Sequence, residues 1–180
     1  MGHLLAVTAL VIEHGGTEDQ ACAALLHDSL EDTNLTHWQL KLRLRTSVAD
    51  MVRECSDTED EAPREVKRQT FVKRKSEYLK TLRTKHGRPA VLVALADKVN
   101  NAENTVRDLR NLRAGDDFTA EASFWANFNS ESVEQQRWWY ESLAATFEEL
   151  DLDERAQPLV RRLRMAVAEM FPPTATERTI

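Results

Sequence analysis

Four titratable side chains lie close together in the stretch LLHDSLEDT, residues 25–33. His27, Asp28, Glu31 and Asp32 stand in a segment whose other residues are mainly alanine and leucine. Residues four apart share one face of a helix, so His27 would lie beside Glu31, and Asp28 beside Asp32. Buried carboxylates are costly unless water, basic groups or a cation meets them. The pattern therefore favours a divalent metal site at this point of the chain.

Two residues elsewhere in the sequence raise the same question. Asp97 is an isolated carboxylate in the apolar run VLVALADKVNN, and His3 stands at the start of an apolar helix. A shared cation would explain both of them. Another interpretation stays open at this point, because Glu31 and Asp32 could lie on a solvent-exposed helix end and His3 could be a frayed terminal residue.

Composition limits the class of protein that can carry these residues. The chain has 180 residues, near the size of one ordinary domain, and a net charge of −6 argues against wholesale nucleic-acid binding. Cys22 and Cys55 lack the spacing of a structural zinc site, so we interpret them as small core residues in a reducing cytoplasm. No apolar run approaches the roughly 18 residues of a membrane span, and no signal-peptide pattern is visible. We expect a cytoplasmic protein without membrane or nucleic-acid partners.

Apolar residues recur at intervals of three and four, which predicts an all-α protein. The chain should form a single domain over residues 1–180, with 1–171 folded and 172–180 a flexible tail. Residues 56–63 should be a loop. The predicted helices cover about residues 3–14, 17–31, 36–54 and 64–84, a segment from Pro89, a segment from near Phe118, a helix ending near Glu149, and residues 156–171.

The ends and buried faces of some helices can also be predicted. Gly15 and Gly16 suit a left-handed cap at the end of the first helix, and Thr17 with Gln20 is a capping box that starts the second. The helix that begins with VLVALA is apolar almost all round at its start, so this half should lie in the protein centre. The first helix is expected to point these residues inward: Leu4, Val7, Val11 and Ile12.

Three segments, HLLAV, ALLHDSLEDT and LVALADKVNN, occur in the order and rough spacing of motifs in the HD-domain hydrolases. Within them the sequence most resembles the RelA/SpoT-type alarmone hydrolases, and more narrowly the small single-domain bacterial members and the SpoT-like hydrolases of animals. FVKRKSEYLKTLR is similar to the basic helix of that family, and FNSESVEQQRWWYESLA to its aromatic later helix. The resemblance covers nearly the whole chain and implies an all-α HD-domain helical bundle.

The resemblance implies a metal site made by four residues, which are His3, His27, Asp28 and Asp97. Mixed nitrogen and oxygen ligands with water suit Mn²⁺, and Fe²⁺ or Zn²⁺ also fit because such sites select weakly. The family points to Mn²⁺.

Other positions match the catalytic and substrate-binding residues of the family. Glu31 and Asp32 match an acidic pair that acts on a water at the metal, and the sequence does not decide which one is the base. Asn101 matches an asparagine that contacts the ribose or phosphate region. The remaining expected substrate contacts are the basic residues Lys98, Arg74 and Lys75, and Tyr140. We expect most of the other aromatic residues, namely Trp125, Phe128, Trp138 and Trp139, to lie in the core.

The sequence departs from the family pattern at two places. Family members carry an upstream helix and a basic segment before the first histidine and a proline after it, whereas this chain begins Met1-Gly2-His3 and continues with Leu4. Either the start is internal or part of the pocket has been lost. In the later motif, Glu103 stands where the family has an arginine, which predicts weaker binding of phosphate.

These observations and the resemblance together predict a metal-dependent phosphohydrolase that removes the 3′-pyrophosphate of (p)ppGpp. With no synthetase or regulatory domain expected, any activity should be hydrolysis alone. Two alternatives stay open: an HD phosphohydrolase acting on another nucleotide, and a truncated HD module that binds nucleotide or metal without turnover. The expected partner is a small nucleotide, and the oligomeric state stays open, with a homodimer among the alternatives.

Overall fold

A computed structural model describes residues 1–56, 63–85, 87–115 and 119–172 of the chain. These residues form helices and no strand, which confirms the predicted all-α class. Within the same ranges, no helix combines the length and the apolar character needed to cross a bilayer. The helices are α1 Gly2–Glu13, α2 Glu18–Leu26, α3 Ser29–Asp32, α4 His37–Arg43, α5 Thr46–Cys55, α6 Arg64–Gln69, α7 Phe71–Thr84, α8 Ala90–Arg113, α9 Ala120–Trp125, α10 Val133–Glu149 and α11 Gln157–Met170.

The connection between α1 and α2 has the glycine cap and the capping box that the sequence predicts. Gly15 has a φ of +76°, and the amides of Gly15 and Gly16 donate to the carbonyls of Ile12 and Val11, which is a Schellman cap. The Thr17 hydroxyl then accepts from the amide of residue 20, whose side chain accepts from the Thr17 amide. This tight turn lays α1 against α2, and so brings the start of α1 to the end of α2.

Helix α8 is the centre of the bundle, as its apolar sequence predicts. Its first half is buried, and the helix packs against α1, α2, α5 and α11. Helix α10 packs against α7 and α11 on another side of the molecule. Because α8 contacts both α1 and α2, a side chain on this face of α8 can meet residues from the start of α1 and the end of α2.

Three predicted helices are broken in the structure, so their predicted bounds were wrong. The helix predicted over 17–31 ends at Leu26, and there the His27 imidazole hydrogen-bonds the Ala24 carbonyl. The predicted segment 36–54 is divided at residues 44 and 45, which are extended. The predicted segment 64–84 bends at Thr70, whose hydroxyl donates to the Val66 carbonyl.

Some predictions of burial were also wrong. Ile12 was expected to point inward but is 59 % exposed, because its position on α1 faces away from α2 and α8. Cys22 is exposed rather than a core residue, whereas Cys55 is partly buried and packs against the core. Predictions for residues 57–62, for Phe118 and for the tail beyond Pro172 fall outside the described residues.

The packing of α11 against α8 predicts a large difference between two substitutions on α11. Leu163 is fully buried, so Leu163→Ala should lower the free energy of unfolding by about 2–5 kcal/mol. Met165, two residues away, is 72 % exposed, so Met165→Ala should change the free energy of unfolding by less than about 0.5 kcal/mol. Urea denaturation of both variants measures the difference, and equal destabilisation would contradict the observed orientation of α11.

Candidate active site

A cavity of about 440 Å³ collects side chains from helices that are distant in sequence. Its wall is built by the start of α1, the α2–α3 junction, α7, α8 and α10. Asp32 does not line this cavity and is exposed. The predicted site residues that do line it are His3, His27, Asp28, Glu31, Arg74, Lys75, Asp97, Lys98, Asn101 and Tyr140.

The two histidines point the same nitrogen atom toward a common point. The Nε2 atoms of His3 and His27 lie 3.3 Å apart. One carboxylate oxygen of Asp28 lies 3.0 Å from Nε2 of His27, and the other lies 3.8 Å from Nε2 of His3. All three potential ligand atoms lie within 4.8 Å of one another. His27 and Asp28 are adjacent residues at the junction of α2 and α3, and both belong to this cluster.

The other nitrogen of each imidazole is held by a hydrogen-bond acceptor. Nδ1 of His3 lies 2.7 Å from Oδ1 of Asn100, and Nδ1 of His27 lies 2.8 Å from the carbonyl oxygen of Ala24. Amide and carbonyl oxygens can only accept, so each Nδ1 carries the hydrogen. In the neutral ring this leaves the Nε2 lone pair free to bind a metal, an arrangement typical of metal-binding histidines.

Asp97 is buried beside the histidines and has partners on both carboxylate oxygens. Oδ1 lies 3.2 Å from Nε2 of His3 and 3.5 Å from Nε2 of His27, and accepts from the Asn101 amide at 2.7 Å. Oδ2 accepts from the Lys98 ammonium at 2.6 Å. The carboxylate is therefore fixed in direction by its neighbours on α8 and turns one oxygen to the histidines.

The charges in this cluster shift the pKa values of its members strongly. Burial disfavours the charged form of Asp97, but Lys98 and the two histidines outweigh it and hold the pKa of this carboxyl well below its usual range. Burial also opposes charge on His27, yet its hydrogen bonds to Asp28 and Asp97 raise its pKa to about 10. The hydrogen bond to Asp97 likewise raises the pKa of His3. The carboxylates thus favour positive charge at the two Nε2 atoms.

This donor set fits a divalent cation. Two imidazole nitrogens with oriented lone pairs and one carboxylate converge, and a second carboxylate, Asp97, borders them. A cation could replace the protons that the carboxylates attract to the imidazoles, and would then satisfy a cluster that is otherwise rich in negative charge. Mixed nitrogen and oxygen donors suit first-row divalent metals.

The two acids of the α3 segment occupy different places. Glu31 lines the cavity, and its charge is among those that raise the pKa of Lys98 against the opposing effect of burial, with Asp97 the larger contributor. Asp32, the next residue, lies outside the cavity wall. Glu31 can therefore reach a group held beside the histidines, whereas Asp32 does not face it.

The predicted substrate contacts lie on two other walls of the cavity. Lys75 from α7 lies with Nζ 4.8 Å from the centre of the Trp139 ring. The Arg74 guanidinium donates to Thr70 and to the Lys67 carbonyl, which holds it at the bend between α6 and α7. Tyr140 is buried and hydrogen-bonded to Thr105, and burial raises its pKa. A basic wall thus faces the acidic cluster.

Several residues of the site were not predicted from the sequence. Asn100, which holds His3, was not singled out, although it follows Asp97 by three residues and so shares its face of α8. Gln136 and Trp139 also line the cavity; no role was predicted for Gln136, and Trp139 was expected to lie in the core. Glutamine and tryptophan are common on amphipathic helices, so the sequence carried no signal that distinguished them.

Glu103 does not line the cavity, although its position in the motif suggested an effect on phosphate binding. Residues two apart are about 200° apart around a helix, so Glu103 points away from the side on which Asn101 lies. Its carboxylate accepts from the Arg162 guanidinium at 2.7 and 2.8 Å, which ties α8 to α11. The acid therefore has a local partner on another surface of the bundle.

Comparisons with known proteins identify the family and the fold of this chain. The family model of the HD domain matches residues 1–123. The chain is 34 % identical over 113 residues to guanosine-3′,5′-bis(diphosphate) 3′-pyrophosphohydrolase MESH1 of Xenopus tropicalis, a match covering 61 % of this chain and 55 % of the relative. The chain thus spans about half the length of that curated relative. The crystal structure of lmo0812 from Listeria monocytogenes EGD-e matches with a TM-score of 0.73 at 23 % identity, covering 95 % of this chain and 94 % of that one, which supports the fold.

The Asn100–His3 hydrogen bond predicts an effect on metal affinity. Asn100→Leu removes the acceptor that fixes the ring of His3, so we expect the affinity for Mn²⁺ to fall about 10- to 100-fold. Asn111→Leu, at an exposed position on the same helix, is the matched control and should bind Mn²⁺ like the unaltered protein. Titration against a chelating indicator measures both, and unchanged affinity in Asn100→Leu would show that His3 needs no such support.

Proposed function

This chain belongs to the HD domain family, and from that membership we propose that it is a metal-dependent phosphohydrolase acting on (p)ppGpp. The observation that carries the proposal is the convergence of the His3 and His27 Nε2 atoms with Asp28 beside the buried Asp97. The likeness to a curated 3′-pyrophosphohydrolase supports the substrate. The reaction adds water across the bond between the ribose 3′-oxygen and phosphorus, so that (p)ppGpp yields pyrophosphate and GDP or GTP.

We propose that His3, His27, Asp28 and Asp97 hold one divalent cation, with Mn²⁺ the proposed ion and Fe²⁺ or Zn²⁺ as alternatives. The ion supplies a Lewis acid that withdraws charge from a phosphoryl oxygen. Lys98 and Asn101 keep the Asp97 carboxylate oriented, and Asn100 and the Ala24 carbonyl do the same for the two imidazoles. These contacts support a site whose ligands are arranged before the ion binds.

In this proposal the other cavity residues accept a proton from the attacking water and bind the charged phosphates of the substrate. Glu31 accepts a proton from the attacking water, because it is the acid of the α3 segment that lines the cavity. Arg74 and Lys75 face the phosphates, for which a guanidinium offers paired hydrogen bonds. Tyr140 and Asn101 border the ribose side. Such a reaction belongs in the cytoplasm, where nucleotides are found, and removal of an alarmone would end a stringent response.

The activity can be tested directly with purified protein. We expect pyrophosphate release from ppGpp in Mn²⁺, and a loss of more than about a hundredfold in Asp28→Ala, because that carboxylate belongs to the cluster that fits the cation. Asp151→Ala, at an exposed position outside the cavity, should retain full activity. A substrate panel with other nucleotides run beside ppGpp identifies the preferred substrate. Equal rates for the unaltered protein and Asp28→Ala would refute the proposed mechanism.

The different places of Glu31 and Asp32 give a second prediction about the same reaction. Glu31→Gln should lower kcat by about 10²- to 10⁴-fold, the usual contribution of a general base. Asp32→Asn should lower it by less than about tenfold, because its side chain lies outside the cavity wall. Steady-state kinetics with ppGpp measures both values. The reverse order would assign proton transfer to Asp32 and require a rearranged α3.

A further inference from the structure

Gln136 is a buried polar residue of α10 that the proposed mechanism does not use. It is only 3 % exposed and lines the same cavity as the histidines. Within the described residues, its backbone amide donates to the Ser132 carbonyl, and its side-chain amide makes no hydrogen bond. The side chain therefore presents one acceptor and two donors to the cavity.

Several other buried polar side chains of the described residues have partners, whereas the Ser29 hydroxyl and one carboxylate oxygen of Glu54 do not. The hydroxyl of Thr105 donates to the Asn101 carbonyl, and that of Thr146 donates to the Ser142 carbonyl. Asp97 and His27 each make several contacts. The Gln136 amide borders the cavity without a partner among the described residues, and in a binding cavity such a group is commonly satisfied by the ligand.

The surroundings of Gln136 indicate which part of a ligand it meets. Its own helix and the preceding segment give the cavity an aromatic wall that includes Trp139, Tyr140 and Phe128. The charged residues of the cavity come from the α2–α3 junction, α7 and α8. The phosphates of a nucleotide belong with the cation site and the basic wall, which leaves the base for the α10 wall, whose Trp139 ring adjoins Lys75 of the basic wall.

We propose that Gln136 hydrogen-bonds the polar edge of the nucleobase, an inference that rests on the proposed nucleotide hydrolysis. A carboxamide pairs with an edge that carries a donor beside an acceptor. Guanine offers N1–H beside O6, and adenine offers the N6 amino group beside N1. The side-chain amide can turn to suit either base, so Gln136 favours nucleotides over sugar phosphates that lack a base.

The test compares two ligands that differ only in the base, which are GDP and ribose 5-diphosphate. With Mn²⁺-loaded protein, Gln136→Leu should weaken GDP binding roughly tenfold and leave ribose 5-diphosphate binding unchanged. Gln135→Leu is the matched control, since Gln135 lies outside the cavity wall, and should leave both affinities unchanged. Isothermal titration calorimetry measures the affinity of each protein for each of the two ligands.

A second variant keeps the inference testable if leucine prevents folding. Gln136→Glu has the same size but can only accept when ionised, so it matches the N1–H and amino donors of guanine and repels N1 of adenine. It should raise the preference for GDP over ADP about tenfold relative to the unaltered protein. An unchanged preference would overturn the inference.

The outcomes also separate this inference from the proposed function. Hydrolysis of ppGpp with GDP affinity unchanged in Gln136→Leu would overturn the role of Gln136 and leave the enzyme proposal intact. An equal loss for GDP and ribose 5-diphosphate would mean that Gln136 only supports the wall, and would overturn the inference too. If ppGpp is not hydrolysed but Gln136→Leu loses affinity for GDP alone, the enzyme proposal is rejected and the contact between Gln136 and the base is supported. Failure of the unaltered protein to bind GDP would overturn the inference.

Discussion

The charge of Asp97 is the constraint on which the rest of the site depends. A carboxylate in the buried half of α8 is unfavourable unless positive groups surround it, and three do so in this structure: Lys98 from the same helix, His3 from α1 and His27 from the end of α2. These contacts cross between helices that are far apart in sequence. The packing of α1 and α2 on α8 therefore has an electrostatic centre as well as an apolar one.

Two junctions between helices lie at the site. His27 and Asp28, at the junction of α2 and α3, keep right-handed helical backbone angles, and an Asp28 oxygen lies 3.0 Å from Nε2 of His27. At the α6–α7 bend, Thr70 and the Lys67 carbonyl hold Arg74 at the cavity. The regular parts of the bundle provide rigidity, and the irregular parts direct the functional groups.

Much of this arrangement can be predicted from sequence, because burial leaves a strong pattern. The apolar run before Asp97 places α8 in the centre, and an acid inside such a run signals a compensated charge. The break after Leu26 could not be predicted, since no glycine or proline marks it in the sequence. Asn100 and Gln136 carry no distinctive pattern either, because their importance comes from what faces them across the cavity. The position of Glu103 could have been predicted from helical geometry, because it follows Asn101 by two residues and therefore lies on the opposite side of α8.

The proposed site requires that two imidazoles and a carboxylate share one cation, and this can be measured without any assay of turnover. Electron spin-echo envelope modulation of Mn²⁺ bound to the protein detects the nitrogen nuclei of coordinated histidines, and a binding titration gives the number of ions. We predict one tightly bound Mn²⁺ per chain with couplings from two imidazoles, of which one disappears in His3→Ala. Saturable Mn²⁺ binding with no imidazole coupling would contradict it.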